Sequence, residues 1–272
     1  MTDVVDEGKM QELIEAIRLQ YGYDFTGYAP ASLTRRVNSA LNKMRTTQFS
    51  DVLQEIQSNP SFFREFLCDL TVNVTEMFRD PSVYLMIRQK IVPMLRTYPS
   101  IKIWHAGCAT GEEVYSMAIL LHEEGLYRKT LLYATDISPR AIEAAKEGIY
   151  PASQMKMYTA NYQKAGGIES FSNYYTAKYG SVRFSSFLKE RIVFSQHNLV
   201  TDDVFSEVHL VMCRNVLIYF GKPLQNRVID LLGRSLVRRG YLCLGAKESL
   251  DFYPDRRLFE IEGRHERIFR KI

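Results

Sequence analysis

The sequence predicts an α/β protein in which a small all-helical domain precedes a doubly wound, Rossmann-like sheet. In the first part, apolar spacing predicts four consecutive helices with no strand pattern between them, over residues 9 to 20, 32 to 45, 49 to 58 and 61 to 71. After a further helix at 82 to 96, short apolar strands alternate with helical stretches. Such alternation is typical of a parallel sheet with helices on both faces.

The strands of the sheet follow from apolar runs that end at turn residues. Ile101 to Ala106 and Leu131 to Thr135 are predicted to be strands, each followed by a helix. We expect six or seven strands in all, the others at 192 to 195, 208 to 213, 241 to 245 and 266 to 270, with a helix at 223 to 237. Residues 148 to 190 depart from the alternation and contain Gly166-Gly167, which predicts an inserted subdomain.

Composition is that of an ordinary globular protein, with 46% hydrophobic and 24% charged residues in a chain of 272. No apolar run approaches the roughly 18 residues that span a bilayer, and residues 1 to 7 lack the pattern of a signal peptide. We therefore expect a cytoplasmic protein without membrane insertion. The four cysteines and five histidines show no metal-ligand spacing, so we expect neither a metal site nor a disulfide framework and interpret the histidines as structural.

Positive charge is concentrated near the start of the chain, although the net charge is only +4. No acidic residue occurs between Phe25 and Ser50, and the basic residues of this segment include Arg35, Arg36, Lys43 and Arg45. They belong to a predicted amphipathic helix whose polar side is cationic. The pattern fits either a solvated helix face or a docking surface for an acidic partner.

A glycine turn after the first predicted strand is the strongest local signal of ligand binding. Gly107 and Gly111 allow a tight turn and a close backbone approach to a ligand. The turn lacks the third glycine of the dinucleotide fingerprint, and Glu112 and Glu113 would repel a phosphate. One of these carboxylates could instead accept hydrogen bonds from a ligand's ammonium group. A purely structural turn with acidic helix capping is the alternative.

Asp136 follows the second predicted strand, at the position where doubly wound folds bind ribose hydroxyls. An aspartate that caps a helix is an equally common interpretation. The occurrence of both features in consecutive βα units favours an adenosine ligand. S-adenosylmethionine (SAM) suits an uncharged glycine turn with acidic neighbours better than NAD does.

Three segments together resemble the chemoreceptor methyltransferases of the CheR family: Asn73 to Arg79, Gly107 to Ser116 and Met212 to Phe220. The resemblance extends to residues 134 to 138, 148 to 150, 198 to 199, 245 to 250 and 265 to 271, and so covers nearly the whole chain. It implies a helical domain at 1 to 72, a linker at 73 to 80 that contributes to the active site, and a SAM-dependent methyltransferase domain at 81 to 272. The insertion at about 148 to 190 would be an antiparallel β-subdomain.

The resemblance also implies a reaction, in which a methyl group passes from SAM to glutamate side chains in the acidic helical methylation region of a chemoreceptor or related sensor. The products would be glutamate methyl esters and S-adenosylhomocysteine (SAH). Arg79 and Tyr219 are the implied catalytic residues, which orient the acceptor. The implied cofactor contacts are Asn73, Thr75, Arg79, Gly107, Glu113, Asp136, Asn198, Leu199, Asn215 and Val216.

Two other functions remain open: a methyltransferase acting on a small molecule or RNA, and a non-catalytic cofactor sensor. The presence of Arg79, Asn215 and Tyr219 speaks against the sensor, and we expect no nucleic-acid partner. Residues 176 to 183 form a shorter segment than the glycine-rich loop of family members that bind a receptor's C-terminal pentapeptide. We therefore expect activity that is independent of such a pentapeptide.

Overall fold

Four helices form the first part of the molecule in a computed structural model that describes residues 6–44, 48–70 and 75–272. Asp6 caps the first helix by accepting a hydrogen bond from the Lys9 amide (2.9 Å), and Gly22 ends it in a left-handed conformation with φ 74°. Apolar side chains at helical spacing, such as Val37 and Leu41, bury one face of each helix in a common core. The helices are α1 (Glu7–Tyr21), α2 (Pro30–Met44), α3 (Phe49–Ser58) and α4 (Pro60–Leu70).

Seven strands form the main sheet, which confirms the predicted doubly wound fold. In chain order, the strands of the molecule are β1 (Ile101–Ala106), β2 (Thr130–Asp136), β3 (Ile149–Pro151), β4 (Tyr175–Lys178), β5 (Ser181–Phe184), β6 (Ile192–Gln196), β7 (Val208–Cys213), β8 (Leu236–Leu244), β9 (Phe259–Gly263) and β10 (Ile268–Lys271). The main sheet has the order β6-β2-β1-β7-β8-β10-β9. Its first five strands are parallel, and β10 is antiparallel to both of its neighbours.

The strand order reverses at β1, which pairs with both β2 and β7. In doubly wound sheets a crevice opens at this switch point, outside the carboxyl ends of the strands. The helices of this part are α5 (Pro81–Met86), α6 (Val92–Arg96), α7 (Glu112–Glu123), α8 (Pro139–Glu147), α9 (Met155–Lys164) and α10 (Lys222–Ser235). The glycine turn between β1 and α7 therefore lies at the crevice.

The helix predicted at 82 to 96 is interrupted by a π-helical turn, Ile87–Ile91. Within it, the buried Arg88 donates hydrogen bonds to Glu123, Glu124 and the Ala165 carbonyl oxygen. These partners lie 35 to 77 residues away in the chain. Apolar periodicity carries no information about such contacts, which is why it predicts a regular helix.

The segment between α8 and β6 contains a three-stranded antiparallel sheet with the order β3-β5-β4. The insertion with an antiparallel sheet was predicted, whereas its helix α9 was not. A two-residue turn joins β4 and β5, with Tyr179 at φ 50° and Gly180 at φ 73°. Two positive φ angles are typical of the tight turns that join twisted strands.

In the described part of the chain, no helix is both long enough and apolar enough to cross a membrane. The cysteines at positions 68, 108, 213 and 243 are free thiols. The same described residues contain no group of three or more histidine, cysteine, aspartate or glutamate side chains that could hold a metal ion.

Candidate functional site

A cavity of about 210 Å³ lies at the carboxyl ends of β1, β2 and β7. Every residue that the sequence analysis assigned to cofactor or acceptor contacts and that the structure describes lines this cavity: Thr75, Arg79, Gly107, Glu113, Asp136, Asn198, Leu199, Asn215, Val216 and Tyr219. Asn73, the remaining assigned residue, lies outside the described residues. The fold thus brings into one cavity residues from five separate stretches of the sequence.

Gly107 makes the first turn of the cavity possible. Its φ is +77°, and a Cβ at this position would lie 2.5 Å from Val216 Cγ2. Its amide donates a hydrogen bond to the Thr135 carbonyl oxygen (2.8 Å). Any larger residue would be strained and would also displace Val216, so the glycine is required by the close approach of two cavity walls.

Asp136 is a buried carboxylate held by backbone amides. Oδ2 accepts from the Ala109 amide and Oδ1 from the Ser138 amide, both at 2.9 Å. Burial raises the pKa of Asp136, and the backbone hydrogen bonds act in the opposite direction. A carboxylate oxygen has more than one lone pair, so this group can also accept hydrogen bonds from the two hydroxyls of a ribose.

The two glutamates at the start of α7 have different environments. Glu113 lines the cavity, and its carboxylate contacts His105 Nδ1 at 2.9 Å and Arg214 Nη1 at 3.2 Å. Burial would raise the pKa of Glu113, but His105 and Arg214 outweigh it and lower that pKa. Glu112 instead accepts from the Thr110 hydroxyl at 2.7 Å, and burial raises its pKa to about 7. Of the two glutamates, Glu113 is the one that lines the cavity and has a lowered pKa.

Arg79 enters the cavity from a tightly held backbone segment. The residues on either side, Phe78 and Asp80, have φ angles of 51° and 55°, which residues other than glycine rarely adopt. Arg214, whose side chain is 1% exposed, donates to the Arg79 carbonyl oxygen (3.0 Å) and to Asp80 Oδ2 (2.6 Å). The Phe78 amide donates to the Ser116 hydroxyl (2.8 Å). These contacts offset the cost of the strained backbone and fix the position of the Arg79 main chain.

Asn215 is also left-handed, with φ 62°, and a buried glutamate stabilises its loop. Glu248 is 4% exposed. It accepts hydrogen bonds from the amides of Asn215 (2.9 Å) and Ile218 (3.2 Å). Asparagine tolerates the left-handed region better than most residues. The loop after β7 is therefore held in one conformation at the edge of the cavity.

Basic side chains of α2 lie near Tyr219. Burial raises the pKa of the Tyr219 phenol, and the positive charges of Arg36, Arg35 and Arg79 oppose this effect. Arg35 is exposed, and Arg36 is partly buried. Lys43, whose docking role stays a prediction, forms an ion pair with Asp69. Arg45 lies outside the described residues.

Two family models match the chain over most of its length. The model described as "CheR methyltransferase, SAM binding domain" matches residues 73–266, and "CheR methyltransferase, all-alpha domain" matches residues 9–71. The chain belongs to the CheR methyltransferase family. This membership confirms the predicted family and makes the chain a SAM-dependent methyltransferase.

Individual proteins similar to this CheR-family chain include the Cher3 protein of Pseudomonas putida, which is 52% identical over 95% of each chain. The chemotaxis protein methyltransferase of Listeria innocua is 27% identical over 86% of this chain and 87% of its own. Among solved structures, a magnesium protoporphyrin IX methyltransferase from Synechocystis with bound SAM has a TM-score of 0.38. That structure is 16% identical and is matched over 81% of this chain and 94% of its own.

Several residues at this CheR-family site were not assigned a role from the sequence. His105 was interpreted as structural but contacts Glu113, and His197 lines the cavity. Arg214 and Glu248 hold the Arg79 and Asn215 segments in place. The signal available for His105 was its position near the end of β1, just before the glycine turn. Arg214 and Glu248 act through contacts distant in sequence, which no local pattern reveals.

Proposed function

We propose that this CheR-family enzyme transfers the methyl group of SAM to glutamate side chains in the acidic helical methylation region of a chemoreceptor or a related sensor protein. The products are glutamate γ-methyl esters and SAH. The observation that carries the proposal is the single cavity shared by the residues assigned to the cofactor and those assigned to the acceptor.

The cavity residues fit the parts of SAM one by one. Glu113, held ionised by His105 and Arg214, would accept hydrogen bonds from the amino group of the methionine moiety. Asp136 would accept the ribose hydroxyls, and Asn198 with Leu199 would border the adenine. Thr75, Gly107, Asn215 and Val216 supply the remaining walls. When bound, the cofactor supplies an electrophilic methyl group on a sulfonium centre.

The acceptor needs no general base, because a glutamate carboxylate with a pKa near 4.3 is already ionised at neutral pH. The protein's task is to align that carboxylate and exclude water from it. Tyr219 keeps its proton, since burial raises its pKa, so its hydroxyl can donate a hydrogen bond to the acceptor. Arg79 can orient the same carboxylate. Too strong a contact would stabilise the ground state, so we assign both residues a positioning role.

Recognition of the acceptor rests on α2. The positive charges of Arg35 and Arg36 oppose the rise in the pKa of Tyr219, which supports a cationic surface near the acceptor end of the cavity. An acidic helix that docks there would bring its glutamates to Tyr219. Charged surfaces of opposite sign also steer partners together.

We further propose that a C-terminal pentapeptide on the receptor is not required. The turn between β4 and β5 has only two residues, and the edge strand β4 has four. Such a strand offers about two residues whose backbone groups can pair with an incoming peptide, since the others pair with β5.

The proposal keeps the predicted division of the chain into 1 to 72, 73 to 80 and 81 to 272, with the insertion at about 148 to 190. In support, the small sheet extends from Ile149 to Phe184. We also propose a cytoplasmic location, since four free thiols suit a reducing compartment.

The test is methyl transfer from labelled SAM to receptor-containing membranes. We expect labelled receptor from which mild base releases volatile methanol, because methyl esters hydrolyse under conditions that leave N-methyl and O-methyl ether groups intact. Label that resists base, or label in RNA or a small molecule, would contradict the acceptor assignment. Binding of SAH without any transfer would indicate the sensor function instead.

The cofactor assignment is tested with Asp136→Ala and isothermal calorimetry with SAH. Loss of a charged hydrogen-bond acceptor should weaken binding by roughly 1 to 3 kcal/mol. Glu143→Ala, on the exposed face of α8, is the control and should bind SAH normally. Equal affinity of the Asp136 variant and the unmodified protein would remove the ribose assignment.

A further inference from the structure

We propose that Tyr28, which belongs to the helical domain, contacts the nucleoside part of the bound cofactor and completes that side of the cavity. The proposal deepens the proposed function and rests on it. It assigns a cofactor contact to a part of the chain that neither the glycine turn nor the strand ends include.

The segment that carries Tyr28 is joined by backbone hydrogen bonds to the segment Tyr219–Gly221, which contains the proposed acceptor contact Tyr219. The Ala29 amide donates to the Tyr219 carbonyl oxygen (2.9 Å), and the Gly221 amide donates to the Gly27 carbonyl oxygen (2.8 Å). Tyr28 and Phe220 thereby form an antiparallel bridge. Backbone pairing of this kind fixes the position of Tyr28 relative to the cavity wall.

Packing fixes the Tyr28 ring as well. It makes edge contacts with Phe25 and with Phe220, each with ring centroids 4.9 Å apart. Tyr28 packs against the core of the helical domain and also against the core on one face of the sheet. Gly27 allows this approach, because a Cβ there would lie 2.8 Å from Leu224 Cδ2.

Tyr28 shares the cavity with the residues assigned to the ribose and the adenine. It is a lining residue together with Asp136 and Asn198. Burial raises the pKa of the Tyr28 phenol, and the negative charge of Asp136 acts in the same direction. A protonated phenol beside the ribose-binding carboxylate can pack against the nucleoside and donate a hydrogen bond to it.

The experiment measures binding of SAH and of adenosine to the full chain by calorimetry. Tyr28→Leu keeps an apolar side chain between Phe25 and Phe220 but removes the ring, and we expect about tenfold weaker binding of both ligands. Tyr28→Phe removes only the hydroxyl and should weaken both by a few fold, about two to five. Adenosine has the nucleoside without the amino acid, so the affinities for adenosine and for SAH should fall by the same factor.

Two comparisons make the result specific. Glu113→Gln should weaken the binding of SAH and leave the binding of adenosine unchanged, whereas the Tyr28 variants should weaken the binding of both. Tyr21→Phe removes a partly buried hydrogen bond to the Ile56 carbonyl oxygen inside the helical domain and should change neither affinity.

The inference is overturned if both Tyr28 variants bind SAH as the unmodified protein does, or if they lose affinity for SAH but not for adenosine. If the unmodified protein itself fails to bind SAH, the cofactor assignment of the whole cavity fails, which is a separate result. Thermal unfolding of each variant shows that the measured protein is folded.

Discussion

Two adjacent glutamates show how far the environment of a residue can alter its chemistry. Glu112 and Glu113 both start α7, where the helix dipole favours negative charge. Glu113 gains two cationic or hydrogen-bonding partners and remains ionised. Glu112 is 5% exposed and has the Thr110 hydroxyl instead, so burial dominates and its pKa rises to about 7. Ionisation of Glu112 near neutral pH therefore lowers the free energy of unfolding.

The pH dependence of unfolding should reveal that cost. Between its ordinary pKa of 4.5 and about 7, Glu112 holds a proton in the folded but not in the unfolded state, so stability falls as pH rises. The total effect is about 3 kcal/mol. Glu112→Gln should therefore be more stable than the unmodified protein at pH 8, with a gap that shrinks towards pH 4.5. Urea unfolding across this range measures it.

Glu143→Gln is the matched control for that series. Its carboxylate lies on the exposed face of α8, where there is no burial cost to remove. If the Glu112→Gln gap stays constant with pH, the interpretation of Glu112 as a titrating buried group is wrong.

Asn215 offers a second test at the level of one residue, because its backbone and side chain can be separated. Asn215→Ala places an alanine at φ 62°, which should cost roughly 1 kcal/mol of stability, whereas Asn215→Gly should avoid that strain. Both remove a side chain that lines the cavity and should weaken SAH binding. Chemical unfolding and calorimetry measure the two effects, and equal stability of the variants would argue against backbone strain.

Among the elements, α2 joins the proposed docking surface to the acceptor end of the cavity. The double variant Arg35→Glu, Arg36→Glu should raise KM for the receptor about tenfold, equivalent to about 1.4 kcal/mol, and leave SAH affinity unchanged. Initial rates at low salt measure this, since exposed charges are screened at higher ionic strength. The single variants Arg35→Glu and Arg64→Glu, the latter on α4, change the net charge equally and separate a local effect on α2 from a general one. If both variants raise KM equally, docking on α2 is refuted.

Prediction of the elements succeeded where apolar periodicity and turn residues agree. The βα units around Gly107 and Asp136 lie within one or two residues of their predicted positions. β8 was predicted to begin at 241 but begins at Leu236, directly after α10, because a left-handed Arg239 and a register shift interrupt its alternation. The short strand β9 was not predicted, although its residues, Phe259–Gly263, alternate apolar and acidic side chains as a strand does. The pattern of the βα units indicated Gly107, Glu113 and Asp136, and the other assigned cavity residues came from a family resemblance. Arg214, Glu248 and Tyr28 depend on tertiary contacts.

For the whole molecule, the proposed independence from a pentapeptide depends on the insertion adding little to receptor capture. One receptor should be methylated at the same rate with its own tail and with that tail deleted, at concentrations well below KM. A short hairpin has few backbone groups to bind a tail. Deleting the tail should therefore hardly lower the effective concentration of the receptor at the enzyme. Initial rates decide the question. A drop of about tenfold after deletion would show that the tail is captured after all.

Peptide groups make one part of the contact between the helical domain and the sheet domain. Main-chain donors and acceptors join Gly27 and Ala29 to the segment Tyr219–Gly221. Peptide groups are the same whatever side chains they carry, so selection on this backbone pairing acts on backbone geometry more than on amino-acid identity. Orthologues should therefore keep the pairing geometry here even where residues other than Gly27 and Tyr28 differ, and superposed backbones should trace this contact as well as sequence motifs do.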